Sequence, residues 1–209
     1  MTYSVKEIFM TVQGEGGQAG RPAVFLRFAG CNLWSGLEKD RASAICKFCD
    51  TDFIGTDGPG GGKFKTPQDL AREAMSYWPG GGKPLVVCTG GEPFLQLDAA
   101  LIDALHAAGF EIAVETNGTI SAPEGIDWIT VSPKGTAPVV QTSGHELKLV
   151  YPQLELDPKD FEHMAFKRFS LQPMDGPDMM ENAQAAFEYC TRNPHWSLSL
   201  QTHKWIDAP

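Results

Sequence analysis

Short runs of apolar residues, each bounded by Gly, Pro, Asn or Asp, recur through most of the chain. Runs of this kind are typical of buried strands, whereas an amphipathic helix repeats its apolar residues every three or four positions. The pattern predicts strands over residues 5–12, 23–29, 85–88, 110–115, 127–131, 146–151, 167–171 and 197–201.

Helical spacing occurs in three segments between these strands. The first begins at Pro67 with Thr66 as its N-cap, and its apolar face consists of Leu70, Ala71, Ala74, Tyr77 and Trp78. Further helices are predicted over 98–108, where Gly109 stops the helix, and over 178–192. The glycine-rich stretches 58–63 and 79–83 are predicted to be surface loops. Neither matches a phosphate-binding loop, because the lysine is followed by Phe or Pro.

Strands that alternate with helices indicate a parallel sheet. A closed eight-fold barrel usually needs roughly 250 residues, and this chain has 209. The connections 117–126 and 133–144 also lack helical periodicity. We therefore predict an α/β fold, a partial (incomplete) β/α barrel of mainly parallel strands, formed by residues 1–209 as a single domain.

The charge and composition exclude several classes of protein. A formal net charge of −9 without a basic cluster argues against a nucleic-acid partner. We find no signal peptide and no apolar run of membrane length, so no membrane partner is predicted. Five cysteines, an odd number without export signals, indicate a reducing compartment and predict a cytoplasmic protein.

Three of the cysteines carry the strongest chemical signal. Fourteen residues separate Cys31 from Cys46, and two separate Cys46 from Cys49. Three thiolates can hold three irons of a [4Fe–4S] cluster and leave the fourth iron open to a small molecule. Structural zinc would need a fourth ligand, and the nearest later candidates are Cys88 and His106. A redox pair would leave Cys31 unexplained. We predict Cys88 to be a core residue and 34–44 a solvent-facing insertion.

Several polar residues are placed where a ligand could reach them. Ligands of parallel α/β folds bind at the carboxyl ends of strands. The polar candidates at predicted strand ends are Gln13, Glu15, Cys31, Thr89–Glu92, Glu115–Asn117, Ser132–Lys134 and Gln172. In Gly90-Gly91-Glu92-Pro93 the glycines leave the backbone open and the acid can hold an ammonium group, although a simple strand-capping turn is the alternative.

Other polar residues have two possible roles. Arg27 interrupts an apolar strand, so it needs either a structural ion-pair partner or an anionic substrate. The Thr51 hydroxyl can cap a turn or helix, or bind a ligand. The five histidines form no pair at metal-ligand spacing, and we predict that they are structural or solvent-exposed.

The segments Gly30-Cys31-Asn32 and Cys46-Lys-Phe-Cys49-Asp50-Thr51 resemble the radical S-adenosylmethionine (SAM) superfamily. Most members have three residues between the first two cysteines, and a loop insertion can account for the fourteen found here. Together with Gln13-Gly-Glu15-Gly and Thr89–Pro93, these motifs make the chain similar, over nearly its whole length, to the 7-carboxy-7-deazaguanine synthase family. The resemblance also implies a partial barrel.

The resemblance implies a carbon–nitrogen lyase of queuosine and 7-deazapurine biosynthesis. Such an enzyme uses a [4Fe–4S] cluster, SAM and Mg²⁺ to convert 6-carboxy-5,6,7,8-tetrahydropterin to 7-carboxy-7-deazaguanine with loss of ammonia. The radical belongs to the cofactor, so no catalytic side chain is predicted. The implied partners are a flavodoxin-like electron donor and a second copy of the chain in a homodimer. An activase of glycyl-radical enzymes, which acts on a protein, is the alternative; an electron carrier would have four cluster cysteines.

The site residues carried over by resemblance form four sets. The cluster ligands are Cys31, Cys46 and Cys49, and the magnesium ligand is Thr51. The substrate-binding set is Val12, Gln13, Gly14, Glu15, Arg27, Thr89 and Pro209, whose terminal carboxylate is expected over the site. The SAM-binding set is Phe48, Cys49, Asp50, Gly91, Glu92, Glu115, Ser132, Pro133, Lys134, Gln172, Pro173, Met174 and Asp175.

Overall fold

The computed structural model describes residues 2–209 and contains a nine-stranded sheet. The strands are β1 (Tyr3–Val12), β2 (Pro22–Phe28), β3 (Gly62–Phe64), β4 (Leu85–Gly90), β5 (Glu111–Thr116), β6 (Trp128–Val131), β7 (Ser143–Tyr151), β8 (Ala165–Pro173) and β9 (Trp196–Leu198). The α-helices are α1 (Pro67–Ser76), α2 (Ala99–Ala107) and α3 (Met179–Arg192). Every predicted strand and helix is therefore confirmed, within a few residues at its ends.

The strand order is β3-β1-β2-β4-β5-β6-β7-β8-β9. From β2 to β9 all neighbours are parallel, whereas β1 runs antiparallel to both β2 and β3. The connections around β6 contain no α-helix, so the helical layer is incomplete as predicted. Strand β3 is a correction, since the glycine-rich stretch was predicted to be a loop throughout. Its three residues become a strand by pairing with β1, with Tyr3 opposite Phe64.

Local sequence explains where the helices begin. The Thr66 hydroxyl accepts a hydrogen bond from the Asp69 N–H at 3.1 Å, and Asp98 caps α2 through the Leu101 N–H at 3.0 Å. Each cap satisfies one donor that the first turn leaves free. Helices α1 and α2 pack together, α1 against β1 and β2 and α2 against β5, in a core that includes Leu26, Leu70, Val86, Cys88, Leu101 and Leu105.

Alternation along β7 and β8 separates a second core from the polar interior of the barrel. Leu147 and Leu149 belong to the cluster that packs against α3, while the intervening Lys148 points into the cavity described below. Successive side chains of a strand point to opposite faces, so one strand supplies both layers. Although Lys148 is charged, only 3% of its surface is exposed.

The two ends of the sheet approach each other because the loop after β1 reaches the residues beyond β9. The Gly16 N–H donates to the Ser199 Oγ at 2.8 Å, and the Thr202 N–H donates to the Gly14 carbonyl at 2.9 Å. The sheet is thus curved into an open, partial barrel, which confirms the predicted fold class. Within residues 2–209, no helix has the length and apolarity needed to cross a membrane.

Candidate active site

A cavity of about 430 Å³ occupies the concave side of the sheet. Its wall contains all but three of the site residues inferred from the sequence, and those three are Gly14, Glu92 and Pro133. Residues that sequence reasoning missed include Glu7, Lys148, Gln201, His203 and Lys204. One expectation is corrected: Gln13 and Glu15 do not follow a parallel strand, because β1 is antiparallel. They reach the cavity through the loop that crosses the open gap of the barrel.

The three predicted cluster cysteines lie in one part of this wall. Cys31 follows β2 and accepts a hydrogen bond from the Leu33 N–H at 3.4 Å, while Cys46 is buried. The Cys46 thiol donates to Cys49 and lowers the pKa of Cys49 to about 6, whereas burial raises the pKa of Cys31. Cys88 and Cys190 lie in or against the hydrophobic cores, which confirms the prediction for Cys88.

This donor set fits an iron–sulfur cluster. No group of three His, Cys, Asp or Glu side chains within residues 2–209 is arranged around one ion. In a [4Fe–4S] site each cysteine binds a different iron, so the thiols have to surround a shared space. Three thiols in the wall of one cavity meet that requirement.

The turn after β4 packs directly against the first of these cysteines. A side chain at Gly91 would collide with the Gly30 carbonyl and would lie 2.5 Å from the Cys31 Cβ. Gly90 has a φ of +137°, and a side chain there would lie 2.8 Å from the Phe28 nitrogen. Glycine is therefore required at Gly90 by its φ and its approach to Phe28, and at Gly91 for the backbone to approach Cys31 so closely.

Glu92 is fully buried and does not line the cavity. Its oxygens accept hydrogen bonds from the Phe94 N–H at 3.0 Å, the Thr116 hydroxyl at 2.8 Å and the Asn117 N–H at 2.8 Å. Burial raises the pKa of Glu92, and these donors oppose the shift. This carboxylate joins the turns after β4 and β5 and is not open to the cavity.

Gly14 and Pro133 also lie outside the wall. The Gly14 carbonyl accepts from the Thr202 N–H and hydroxyl, and the Pro133 carbonyl accepts from the Gln153 side chain at 3.3 Å. Both residues therefore connect segments of the chain next to the cavity.

A buried lysine joins two carboxylates on the cavity wall. The Lys148 Nζ lies 2.5 Å from Glu15 Oε2 and 2.9 Å from Glu115 Oε2. The Gln13 amide donates to Glu115 at 3.2 Å, and the Gln201 amide donates to Glu15 at 2.9 Å. The signal that would have found Lys148 is the one that singled out Arg27, a charged residue inside an apolar strand.

Burial and charge shift the pKa values of this network in opposite directions. Burial alone raises the pKa of Glu15, but the ammonium of Lys148 outweighs it and holds the pKa at about 2. Burial dominates at Glu115 and raises its pKa despite Lys148. Burial would lower the pKa of Lys148, but the two carboxylates raise it above its ordinary value. The network thus keeps one lysine charged inside the barrel.

Arg27 has a structural partner and also free donors. Its Nε donates to Glu7 Oε1 at 2.7 Å, and its guanidinium carbon lies 5.8 Å from the centre of the Phe9 ring. Within residues 2–209, the side chain makes no hydrogen bond through its two terminal amino groups, and it lines the cavity. The ion pair and an anionic ligand are therefore compatible with each other.

Thr51 also lines the cavity, beside the last cluster cysteine. Its hydroxyl lies 3.5 Å from Asp50 Oδ1. No helix begins at Thr51 in the described chain, so the helix-cap alternative is wrong.

The last residues extend over the cavity. The Lys204 Nζ lies 2.5 Å from Asp175 Oδ2 and 3.7 Å from Asp50 Oδ2, and the Thr11 hydroxyl donates to the Pro209 oxygen at 2.8 Å. His203 lines the cavity, where burial lowers its pKa.

Comparison with known proteins agrees with this geometry. Residues 41–143 match the family model described as Radical SAM superfamily. The chain is 67% identical to the 7-carboxy-7-deazaguanine synthase of Caulobacter vibrioides, with 100% of both chains covered. It is 54% identical to that of Nitratidesulfovibrio vulgaris, again over 100% of both.

A solved structure shows the same likeness. The crystal structure of QueE from Escherichia coli matches with a TM-score of 0.71 and 26% identity, over 97% of this chain and 95% of that one. Because it is 67% and 54% identical to the two synthases over their full length, the chain belongs to the 7-carboxy-7-deazaguanine synthase family of radical SAM enzymes.

Proposed function

We propose that the chain converts 6-carboxy-5,6,7,8-tetrahydropterin to 7-carboxy-7-deazaguanine and ammonia, a ring contraction of queuosine and 7-deazapurine biosynthesis. The observation that carries this proposal is the single cavity that joins three cysteine thiols to a polar wall suited to a small acidic heterocycle. The full-length identity to 7-carboxy-7-deazaguanine synthases supports the choice of substrate.

Cys31, Cys46 and Cys49 would hold the [4Fe–4S] cluster. When bound, the cluster and SAM supply the radical that removes a hydrogen atom from the substrate. The unobstructed backbone at Gly91 and the wall residues Phe48, Asp50, Glu115, Ser132 and Lys134 would bind SAM, together with Gln172, Pro173, Met174 and Asp175. We assign Glu92 and Pro133 to the support of these segments.

The substrate would lie on the opposite part of the wall. Arg27 offers two amino groups that match a carboxylate, and the ionised Glu15 can accept hydrogen bonds from an amino-pyrimidinone edge. Lys148 holds Glu15 charged and in place. Val12, Gln13 and Thr89 line the same part of the cavity, Gly14 holds the tail above it, and Pro209 contributes oxygen acceptors.

Magnesium would bind at Thr51, because Mg²⁺ uses few protein ligands and completes its octahedron with water and substrate oxygens. We further propose that residues 1–209 form one domain, and that the enzyme acts in the cytoplasm as a homodimer. A flavodoxin-like protein would supply the electron.

The size of the cavity favours this function over the activation of a glycyl-radical protein. Small-molecule sites commonly occupy roughly 300–1,000 Å³, and this cavity of about 430 Å³ falls within that range. Its substrate part is a compact set of charged and amide side chains, which suits a small polar molecule.

The test is an anaerobic assay of the reconstituted protein with SAM, a reductant, magnesium and the carboxy-tetrahydropterin. We expect 7-carboxy-7-deazaguanine and one ammonia per substrate, with a rate that depends on magnesium. SAM cleavage without any deazaguanine product would contradict the proposed substrate. The absence of SAM cleavage by the cluster-loaded protein would contradict the reaction class.

A further inference from the structure

The insertion between the first two cluster cysteines is only partly exposed to solvent. This corrects the expectation that residues 34–44 form a solvent-facing insertion. Its exposed part is a 3₁₀ helix, Glu38–Ser43. Trp34, at its start, is buried, and the Trp34 ring packs edge-on against Phe53 at 5.6 Å. The indole N–H donates to the Leu37 carbonyl at 3.2 Å, which fixes the ring beneath the helix.

Arg41 extends from this helix back to the loop that carries Cys46 and Cys49. Its Nη1 donates to the Lys47 carbonyl at 2.9 Å and to the Cys49 carbonyl at 3.1 Å. Its Nε donates to Glu38 at 2.7 Å, and its guanidinium lies 4.1 Å from the centre of the Trp34 ring. The guanidinium is therefore fixed by a ring, a carboxylate and two carbonyl groups.

Backbone hydrogen bonds give the loop of residues 46–52 little other support. Within residues 2–209, no backbone–backbone hydrogen bond involves residues 46–52. The two carbonyls that Arg41 holds lie on either side of Phe48, inside the turn that sets the positions of the last two thiols. A planar guanidinium can hold two acceptors in a fixed geometry, whereas a flexible ammonium is less preorganised.

We infer that Arg41 is a positioning residue, and that the insertion is an internal brace that holds the Cys46–Cys49 turn in the shape the cluster requires. This inference rests on the proposed role of the three cysteines. Arg41 acts through the two carbonyls and not by contact with the cluster, so its loss should change how firmly the cluster is held.

The test compares Arg41→Ala and Arg41→Met with Lys39→Ala as the matched control. Lys39 lies on the same 3₁₀ helix, is exposed, carries the same charge, and makes no hydrogen bond or ion pair through its side chain within residues 2–209. Methionine keeps an apolar stem over Trp34 but offers no N–H donors. The Met variant therefore separates the loss of the carbonyl contacts from the loss of packing.

Each full-length protein is reconstituted anaerobically, analysed for iron and sulfide, and then challenged with a chelator. We expect both Arg41 variants to lose the cluster about tenfold faster than the wild type, the factor that corresponds to one hydrogen bond from a charged donor. Lys39→Ala should match the wild type. We also expect an altered EPR line shape of the reduced cluster in the Arg41 variants, which a general loss of stability would not produce.

Cleavage by a lysine-specific protease after Lys47 gives a readout that needs no cluster. Because the carbonyl that Arg41 holds belongs to the scissile bond, the Arg41 variants should be cut several-fold faster there, and Lys39→Ala should not. Wild-type rates of cluster loss and of cleavage at Lys47 in the Arg41 variants would overturn the inference and leave the proposed function intact. A wild-type protein that takes up no cluster would overturn both.

Discussion

At the scale of single residues, the surroundings of each sulfur decide what a cysteine can do. Cys31, Cys46 and Cys49 line one cavity, where the Cys49 thiolate is favoured by the neighbouring thiol. Cys88 is fully buried among apolar side chains, and burial raises its pKa to about 12. A thiol that resists ionisation is a poor metal ligand, because the thiolate is the form that binds.

The first prediction follows from this difference. Alanine at Cys31, Cys46 or Cys49 should abolish cluster binding, whereas Cys88→Ala and Cys190→Ala should keep the wild-type iron content. The Cys88 substitution should cost about 1 kcal/mol of stability, the usual effect of a small change in a core. Iron analysis after anaerobic reconstitution, with thermal unfolding as the control for folding, measures both effects. Loss of the cluster from folded Cys88→Ala would contradict the assignment.

The second prediction concerns the free amino groups of Arg27. Arg27→Lys should keep the ion pair with Glu7 but lose the planar fork, so kcat/KM for the pterin should fall about ten- to hundredfold, the value of one or two hydrogen bonds to a charged group. Arg21→Lys is the matched control, since Arg21 binds both oxygens of Glu111 away from the cavity. Normal kcat/KM in Arg27→Lys would leave the ion pair with Glu7 as the sole role of this arginine.

At the scale of elements, local sequence was enough to place most strands and helices. Thr66 caps its helix as predicted, and alternation with helices correctly indicated parallel strands. Strand β3 was missed because three residues in a glycine-rich stretch become a strand only by pairing with β1. The brace formed by Trp34 and Arg41 was missed because a charged, polar segment gives no sign of what its side chains contact.

The site was predictable to the extent that its residues follow strands. Cys31, Gly91, Glu115 and Ser132 could be found in this way, since the carboxyl ends of parallel strands share an edge. Gln201 follows the parallel strand β9, so the same rule could have found it, but it was overlooked. His203 could not be found in this way, because it reaches the cavity through the curvature of the whole sheet. That curvature depends on every strand and on the loop after β1, and no local pattern encodes it.

The third prediction concerns the tail, which forms the 3₁₀ helix Thr202–Ile206 after β9. Lys204 joins this helix to Asp175 and Asp50, on two segments assigned to SAM. Lys204→Ala should raise KM for SAM roughly two- to fivefold, because a partly exposed ion pair is worth at most about 1 kcal/mol. Iron content should not change. Lys65→Ala, an exposed lysine of the β3–α1 connection, is the control. An unchanged KM would show that the other contacts of the tail, including those with Gly14 and Thr11, are enough to hold it.

At the scale of the whole molecule, the charges inside the barrel join parts of the chain that are far apart in sequence. Glu15 belongs to the loop after β1, Glu115 to β5, and Lys148 to β7. The open side of a partial barrel gives few backbone hydrogen bonds between its two ends, so these side chains link the loop to the far strands. The same ion pairs would keep the proposed substrate part of the cavity in shape, and would thus couple stability to binding.

The last prediction is that Lys148→Met destabilises the fold, and increasingly so as the pH rises. Removing one member of a buried ion pair leaves uncompensated charge and costs about 3–5 kcal/mol. Lys148 lowers the pKa of Glu15 and opposes the burial that raises the pKa of Glu115, so both values should rise without it. A carboxyl group with a folded-state pKa above its unfolded value takes up protons on folding, and the stability this provides is lost as the pH rises through that value.

Chemical denaturation of the anaerobic protein between about pH 5 and pH 8 measures this effect, because this range lies above the ordinary pKa of a carboxyl group, roughly 4.3 for Glu, and a raised pKa moves ionisation toward it. The wild-type contribution of Glu15 should be constant there, since its pKa of about 2 lies below the range. Lys83→Met removes an exposed lysine 3.7 Å from Glu111 and should change stability by no more than about 0.5 kcal/mol at any pH. Adding Glu115→Gln to Lys148→Met removes one of the two repelling charges and should recover stability mainly at high pH. A loss that is the same at every pH would mean that Lys148 stabilises the barrel by packing, and that Glu15 stays ionised without it.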